Sequence, residues 1–209
     1  MLLDRLSDLK VVPVIRTDSD LEAARACDWL LEAGLDALEV TLSVPGGVAL
    51  IAELAKREPE ALIGAGTVLS AEEAKACIDA GAAFLVAPSA VPEVQAVANA
   101  AGLPFMPGAA TPSEVLARWR EGAALVKIFP AKLLGGPAFL KTLKSVFPEI
   151  PLMPTGGVNP DTAADYLAAG ALCVGMGGEL MPKDALQAGD KKRVIALAQQ
   201  ALSAVTKPK

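Results

Sequence analysis

The chain contains no histidine, and that absence removes more chemistry than any other feature of its composition. No Ser-His-Asp or Cys-His pair can form, and no metal centre can be built on imidazole. Acid–base and nucleophilic work is confined to carboxylate, amine, hydroxyl, phenol and thiol groups. Aromatic residues make up only 4% of the chain, too few for a stacking platform that binds single-stranded nucleic acid. Cysteine is scarce and odd in number. Cys27, Cys77 and Cys173 stand far apart with no CxxC pair, which predicts reduced, buried thiols in a cytoplasmic protein. No apolar run approaches the ~18 residues of a membrane span. The charged opening MLLDRLSDLK has no apolar core of signal-peptide length. Basic residues are outnumbered, 19 against 24 acidic, for a net charge of −5, so neither nucleic acid nor a membrane is an expected partner.

What is present is regular. With 53% hydrophobic residues in 209, the chain is a folded one, and one domain spanning 1–209 is the expectation. Short β-type apolar runs begin near Val11, Ala37, Leu62, Phe84, Pro104, Leu125, Pro151 and Leu172, at spacings of 26, 25, 22, 20, 21, 26 and 21 residues. Helix-period segments fill the intervals. Gly34, Gly81, Gly102, Gly122 and Gly170 each fall two or three residues before the next strand, where a helix closes on a left-handed residue. Ser19–Glu22, Ser70–Glu73 and Thr111–Glu114 have capping-box spacing, and Asn159-Pro160 predicts a further helix start. The strands are continuously apolar, as parallel strands covered on both faces are. Eight such units close as a (β/α)₈ barrel or spread as an open doubly wound sheet, and the even spacing favours the barrel. The first ten residues add an amphipathic helix. A polar stretch, KDALQAGDKKR, leads into a last helix, and the tail Val205–Lys209 is expected to fray.

In such a barrel chemistry gathers at the C-terminal ends of the strands. Polar residues stand there: Arg16 after VVPVI, Glu39 within ALEVT, Thr67 after IGAG, Lys127 within LVKIF, and Thr155 before two glycines. Lys127 is flanked by apolar residues on both sides. Burial disfavours a charged ammonium, and the neutral amine is the form that attacks a ketone. The competing reading is a packed stem with its head at the rim. Glu39, at similar depth, suits a general base, or equally a structural ion pair with Arg16 or Lys127. Thr155-Gly156-Gly157 and Gly175-Met176-Gly177-Gly178 end the seventh and eighth strands. Paired glycine loops there suit an anion; otherwise they are tight turns. Gly64-Ala65-Gly66 opens like a dinucleotide fingerprint but places Leu69 where the third glycine belongs. Lys191-Lys192-Arg193 reads as a solvated helix face, and Trp29 and Trp119 as core or subunit interface.

LEVTL, GAGTVLS, MPGAATPSE, LVKIFPA, MPTGGVNP and LCVGMGGELMP, in this order, resemble the 2-keto-3-deoxy-6-phosphogluconate (KDPG)/4-hydroxy-2-oxoglutarate (KHG) aldolases over nearly the whole chain. The resemblance implies a (β/α)₈ barrel, a homotrimer, and a class I aldolase without metal or cofactor, acting on a small 2-oxo acid. It implies Lys127 as the Schiff-base lysine, Glu39 as the general acid/base and Thr67 as a carboxylate ligand. Thr155, Gly156 and Gly157 would form the substrate loop, and Gly177 and Gly178 the loop facing it. Two positions depart from the pattern. Ser43 replaces an arginine that binds the carboxylate in many relatives, and Arg16 is the expected substitute. Gly178, followed by Glu179, stands where many relatives have a phosphate-binding serine. The implied substrates are KDPG and KHG, and the alternatives are an unphosphorylated or epimeric 4-hydroxy-2-oxo acid or a catalytically silent sugar-phosphate binder.

Overall fold

The computed structural model describes residues 2–206. Alternating strands and helices run from α1 (Leu2–Leu9), β1 (Val11–Ile15), α2 (Asp20–Glu32), β2 (Ala37–Thr41), α3 (Gly47–Arg57), β3 (Leu62–Gly66) and α4 (Ala71–Asp79) to β4 (Leu85–Val86). They continue through α5 (Pro92–Ala101), the split strand β5 (Phe105–Met106) and β6 (Gly108–Ala109), α6 (Pro112–Arg120), β7 (Val126–Ile128), α7 (Gly136–Val146) and β8 (Leu152–Pro154). The chain finishes with α8 (Ala163–Ala168), β9 (Val174–Met176), α9 (Lys183–Ala188) and α10 (Lys191–Thr206).

Every strand pairing is parallel, in the orders β5-β4-β3-β2-β1-β9 and β6-β7-β8. The two sheets meet at both seams. β5 and β6 are one barrel strand interrupted by Pro107, whose nitrogen has no hydrogen to donate to a ladder. At the other seam Thr155 bridges Gly175, and Leu172 N–H donates to Leu152 O at 2.9 Å. The ring is therefore a closed (β/α)₈ barrel with an added N-terminal helix.

The helices form where their caps and stripes dictate. In α2 the Ser19 hydroxyl accepts from Glu22 N–H, and the buried residues Ala23, Ala26, Cys27 and Leu30 lie along one face, as the helical period requires. Gly34, at φ 92°, then donates to Leu31 O and turns the chain back. Thr111 and Glu114 make a reciprocal capping box, whereas the Glu73 carboxylate accepts from Leu69 N–H rather than from Ser70. Asn159-Pro160 begins a turn instead of a helix: Asn159 Oδ1 accepts from Thr162 N–H, and α8 starts at Ala163. The stretch after Gly178 contains α9. Val205 and Thr206 belong to α10, with Val205 buried, so they do not fray; Lys207–Lys209 lie outside the described residues.

Two apolar layers hold the barrel. The larger fills the space between strands and helices, with Trp29 and Trp119 packed against its edge. The smaller lies inside the ring: Val12, Ala37, Leu62, Phe84, Met106, Leu125, Met153 and Cys173 meet one another and Leu6 of α1. The N-terminal helix thus plugs the N-terminal mouth of the barrel and leaves the opposite mouth for chemistry.

Candidate active site

Side chains alternate along a strand with a period of two, so residues two places beyond the inner cluster also face inward. Glu39 follows Ala37, Gly64 follows Leu62, Lys127 follows Leu125, Thr155 follows Met153 and Gly175 follows Cys173. Above the apolar floor charge, hydroxyl and glycine therefore join the inner face, beside Val14 and Val86.

Glu39 and Lys127 meet across the barrel. Lys127 Nζ donates to Glu39 Oε1 at 3.2 Å, with Lys127 4% and Glu39 0% exposed. They come from β7 and β2, so only closure of the ring unites them. Space for the pair is made by missing Cβ atoms. A Cβ on Gly66 would lie 2.2 Å from Glu39 Oε1, and one on Gly175 would lie 2.3 Å from Thr155 Oγ1. Gly64 likewise makes room for the Phe84 ring. The Lys127 ammonium also lies 5.8 Å from the Phe129 ring centroid.

Glu39 Oε2 and Thr155 Oγ1 are buried without a hydrogen-bond partner among the described residues. Buried polar atoms are nearly always paired, so the two orphans mark where a polar ligand would complete the structure. Their cost to the free protein is offset when that ligand binds.

At the rim, Arg16 Nη2 donates to Thr67 Oγ1 at 3.0 Å. Thr67 is held at φ 57°, a left-handed conformation that costs a β-branched residue about 1–3 kcal/mol and is found where function demands it. Thr41, buried in β2, donates to Ile15 O at 2.9 Å and shares a 2.8 Å hydrogen bond with the exposed Ser43 hydroxyl. The tips of β1 and β2 are thereby tied together beside Arg16. Gly156 and Gly157 adopt φ 95° and 75°, a conformation that admits glycine readily and most other residues only with strain. The Thr155–Gly175 bridge sets this loop beside Gly177 and Gly178. A cavity of about 260 Å³ opens at the same rim, lined by Arg16, Thr17, Asp18, Gly178, Met181 and Lys183 among others.

The expected constellation is thus assembled in part by direct contact. Glu39 pairs with Lys127 and not with Arg16, whose partner is Thr67. Among the described residues the Ser43 hydroxyl bonds only to Thr41. Gly66 and Thr41 were not singled out from sequence as site residues, and Gly175 was read only as part of an anion loop; the signal for the two glycines was their in-strand spacing from Glu39 and Thr155 across neighbouring strands. No three His, Cys, Asp or Glu side chains gather to hold a metal among the described residues. The thiols offer no nucleophile: burial pushes Cys27 and Cys173 up to about 12, and burial with the Glu73 charge pushes Cys77 up to about 11.

The chain is similar to known proteins over most of its length. Residues 2–197 match the family model for KDPG and KHG aldolase. The chain is 39% identical to 2-dehydro-3-deoxy-phosphogluconate aldolase of Pseudomonas aeruginosa, over 93% of this chain and 89% of that one. It is 37% identical to the KHG/KDPG aldolase of Escherichia coli, over 92% and 90% of the two chains. A crystal structure of KDPG aldolase from Legionella pneumophila, with pyruvate captured as a covalent carbinolamine intermediate, superposes with a TM-score of 0.84. It shares 31% identity, over 92% of this chain and 93% of that one.

Proposed function

The chain belongs to the KDPG and KHG aldolase family, and from that premise we propose that it cleaves KDPG to pyruvate and glyceraldehyde 3-phosphate through a Schiff base on Lys127, with KHG as a second substrate. The observation that carries this reading is the buried Lys127–Glu39 contact at 3.2 Å, with Gly66 making room for the carboxylate.

Lys127 Nζ, its proton passed to Glu39 or to water, attacks the C2 ketone to give a carbinolamine. Loss of water leaves an iminium that serves as electron sink. Glu39 takes the proton of the C4 hydroxyl as the C3–C4 bond breaks, the bonding pair flows into the iminium, and the aldehyde departs. The same carboxyl returns the proton to C3 of the enamine. Water then hydrolyses the iminium and frees both pyruvate and the amine. Charge is stored in the iminium, so neither a metal nor imidazole is required.

Arg16 and Thr67 suit the substrate carboxylate, with Arg16 taking the place of the arginine missing at Ser43, and Ser43 offering a hydroxyl close by. Truncating Arg16 to alanine is expected to raise KM about tenfold with little change in kcat. The loops Thr155-Gly156-Gly157 and Gly177-Gly178 suit the phosphate, by backbone N–H groups. An unphosphorylated acid is the second reading, favoured by the half-buried Glu179 beside Gly178. The single barrel spanning 1–209 would act as a homotrimer in the cytoplasm, supported by the exposed Leu133 and Phe129 on one loop and by three unpaired thiols. Sedimentation analysis checks the assembly.

Borohydride reduction in the presence of pyruvate, followed by peptide mass spectrometry, tests the chemistry. An adduct on Lys127 is expected. An unmodified Lys127 under conditions where the enzyme turns over would overturn the proposal.

A further inference from the structure

The loop after β7 carries a cation that neither the buried pair nor the Arg16–Thr67 contact uses. Residues 130–135 fold against the end of β8: Ala131 N–H donates to Thr155 O at 2.8 Å and Lys132 N–H to Gly156 O at 3.0 Å. The side chain of Lys132 then lies along Gly157. A Cβ built on Gly157 would stand 2.6 Å from Lys132 Cβ and 2.7 Å from its Cδ. The ammonium is two bonds beyond that Cδ, so it cannot be far from the Gly156–Gly157 turn. Lys132 is exposed, and no carboxylate among the described residues pairs with it. The neighbouring rim cation Lys183 is already matched to Asp18 at 2.7 Å.

Gly178, on the facing loop, differs from Gly157. No heavy atom lies within 4 Å of a Cβ built there, and its backbone is not left-handed. Glycine at 178 is therefore not enforced by space or conformation, and the donor a hydroxyl would supply is simply missing. At Gly157 the absent Cβ has a use, because it lets the Lys132 stem cross the turn.

We infer that Lys132 is a specificity-determining residue that binds the substrate's terminal phosphate from the β7 side, supplying the charge that the β9 loop lacks. An ammonium is a compact donor of up to three hydrogen bonds and suits a phosphate dianion as a point charge. This rests on reading the Gly156–Gly157 turn as the seat of phosphate.

The test compares KDPG with its dephosphorylated analogue, 2-keto-3-deoxygluconate, in the native enzyme, K132Q and K132R. The native enzyme is expected to prefer KDPG. K132Q should lose about tenfold in kcat/KM on KDPG, mostly in KM, and less than about twofold on the analogue, with K132R recovering most of the loss. A native preference for KDPG that K132Q keeps would overturn the role of Lys132 and leave the phosphate reading intact. Equal losses on both substrates would mark Lys132 as structural and also overturn it. A native enzyme indifferent to the phosphate would remove the phosphate reading and this inference together, while borohydride trapping on Lys127 would still stand.

Discussion

The two ends of the barrel each carry an arrangement of charge, and the two are built in opposite ways. Outside the N-terminal end, between α2 and α3, Arg57 bonds Asp28 at 2.5 Å, Glu53 at 3.0 Å and Glu58 at 3.1 Å. Its side chain is 41% exposed, and the cluster borders a hollow of about 560 Å³. Towards the C-terminal mouth one lysine meets one glutamate in near-complete burial, with the unpartnered Glu39 Oε2 and Thr155 Oγ1 on the same inner face. The exposed cluster is saturated and screened by water, so it does little. The buried pair is under-satisfied and shielded from water, so it still has a polar partner to take up.

Substitutions at the two ends should separate sharply. K127M is expected to lower pyruvate release by at least about 10⁴-fold, in an assay coupled to lactate dehydrogenase, because no other lysine among the described residues is buried to form the iminium. It should also cost about 3 kcal/mol in urea unfolding, since Glu39 loses its partner. A variant that kept a hundredth of the native rate would refute the comparison. G66A should come next. Its new methyl group displaces the Glu39 carboxylate, so kcat is expected to fall about 100-fold. The displaced atoms are the far end of a side chain, so stability should fall only about 1–2 kcal/mol.

Smaller effects follow from groups that are buried but idle. The thiols of Cys27, Cys77 and Cys173 sit near 11 to 12 when folded, against about 8.5 unfolded. Their contribution to stability is full below about pH 8.5 and lost as pH rises through those folded values. The native protein should resist Ellman's reagent at pH 8 and expose three thiols in denaturant. Replacing all three with alanine or serine should flatten the alkaline limb of stability against pH. R57A should have the least effect, with activity unchanged within about twofold and a stability loss of at most about 1 kcal/mol. A larger loss of activity there would mean that the two ends are coupled.

Much of this was legible in the chain itself. Each expected strand start lies within two residues of the observed one, from Val11 to Val174, because the glycine stops and polar caps act locally. Lys127 and Glu39 stood out because a charge inside an apolar strand is visible without a structure. Their pairing was open, since it depends on closure between β2 and β7, which no local pattern encodes. Gly64 and Gly66 read as a failed nucleotide motif. Their use is lateral, making room for Phe84 and Glu39 on neighbouring strands. The inward period of two was hidden because the outer face of each strand is apolar as well. Asn159-Pro160 misled because its side chain caps a turn that Thr162 then extends into α8.

The central claim is a division of labour: Lys127 holds the substrate covalently, and Glu39 moves its protons. Exchange of the pyruvate methyl hydrogens in D₂O, followed by proton NMR, tests it most directly, because exchange needs both the Schiff base and a base at C3. E39Q is predicted to keep borohydride trapping on Lys127 while losing methyl exchange by at least about 100-fold. Exchange at the native rate in E39Q, with trapping intact, would contradict the account.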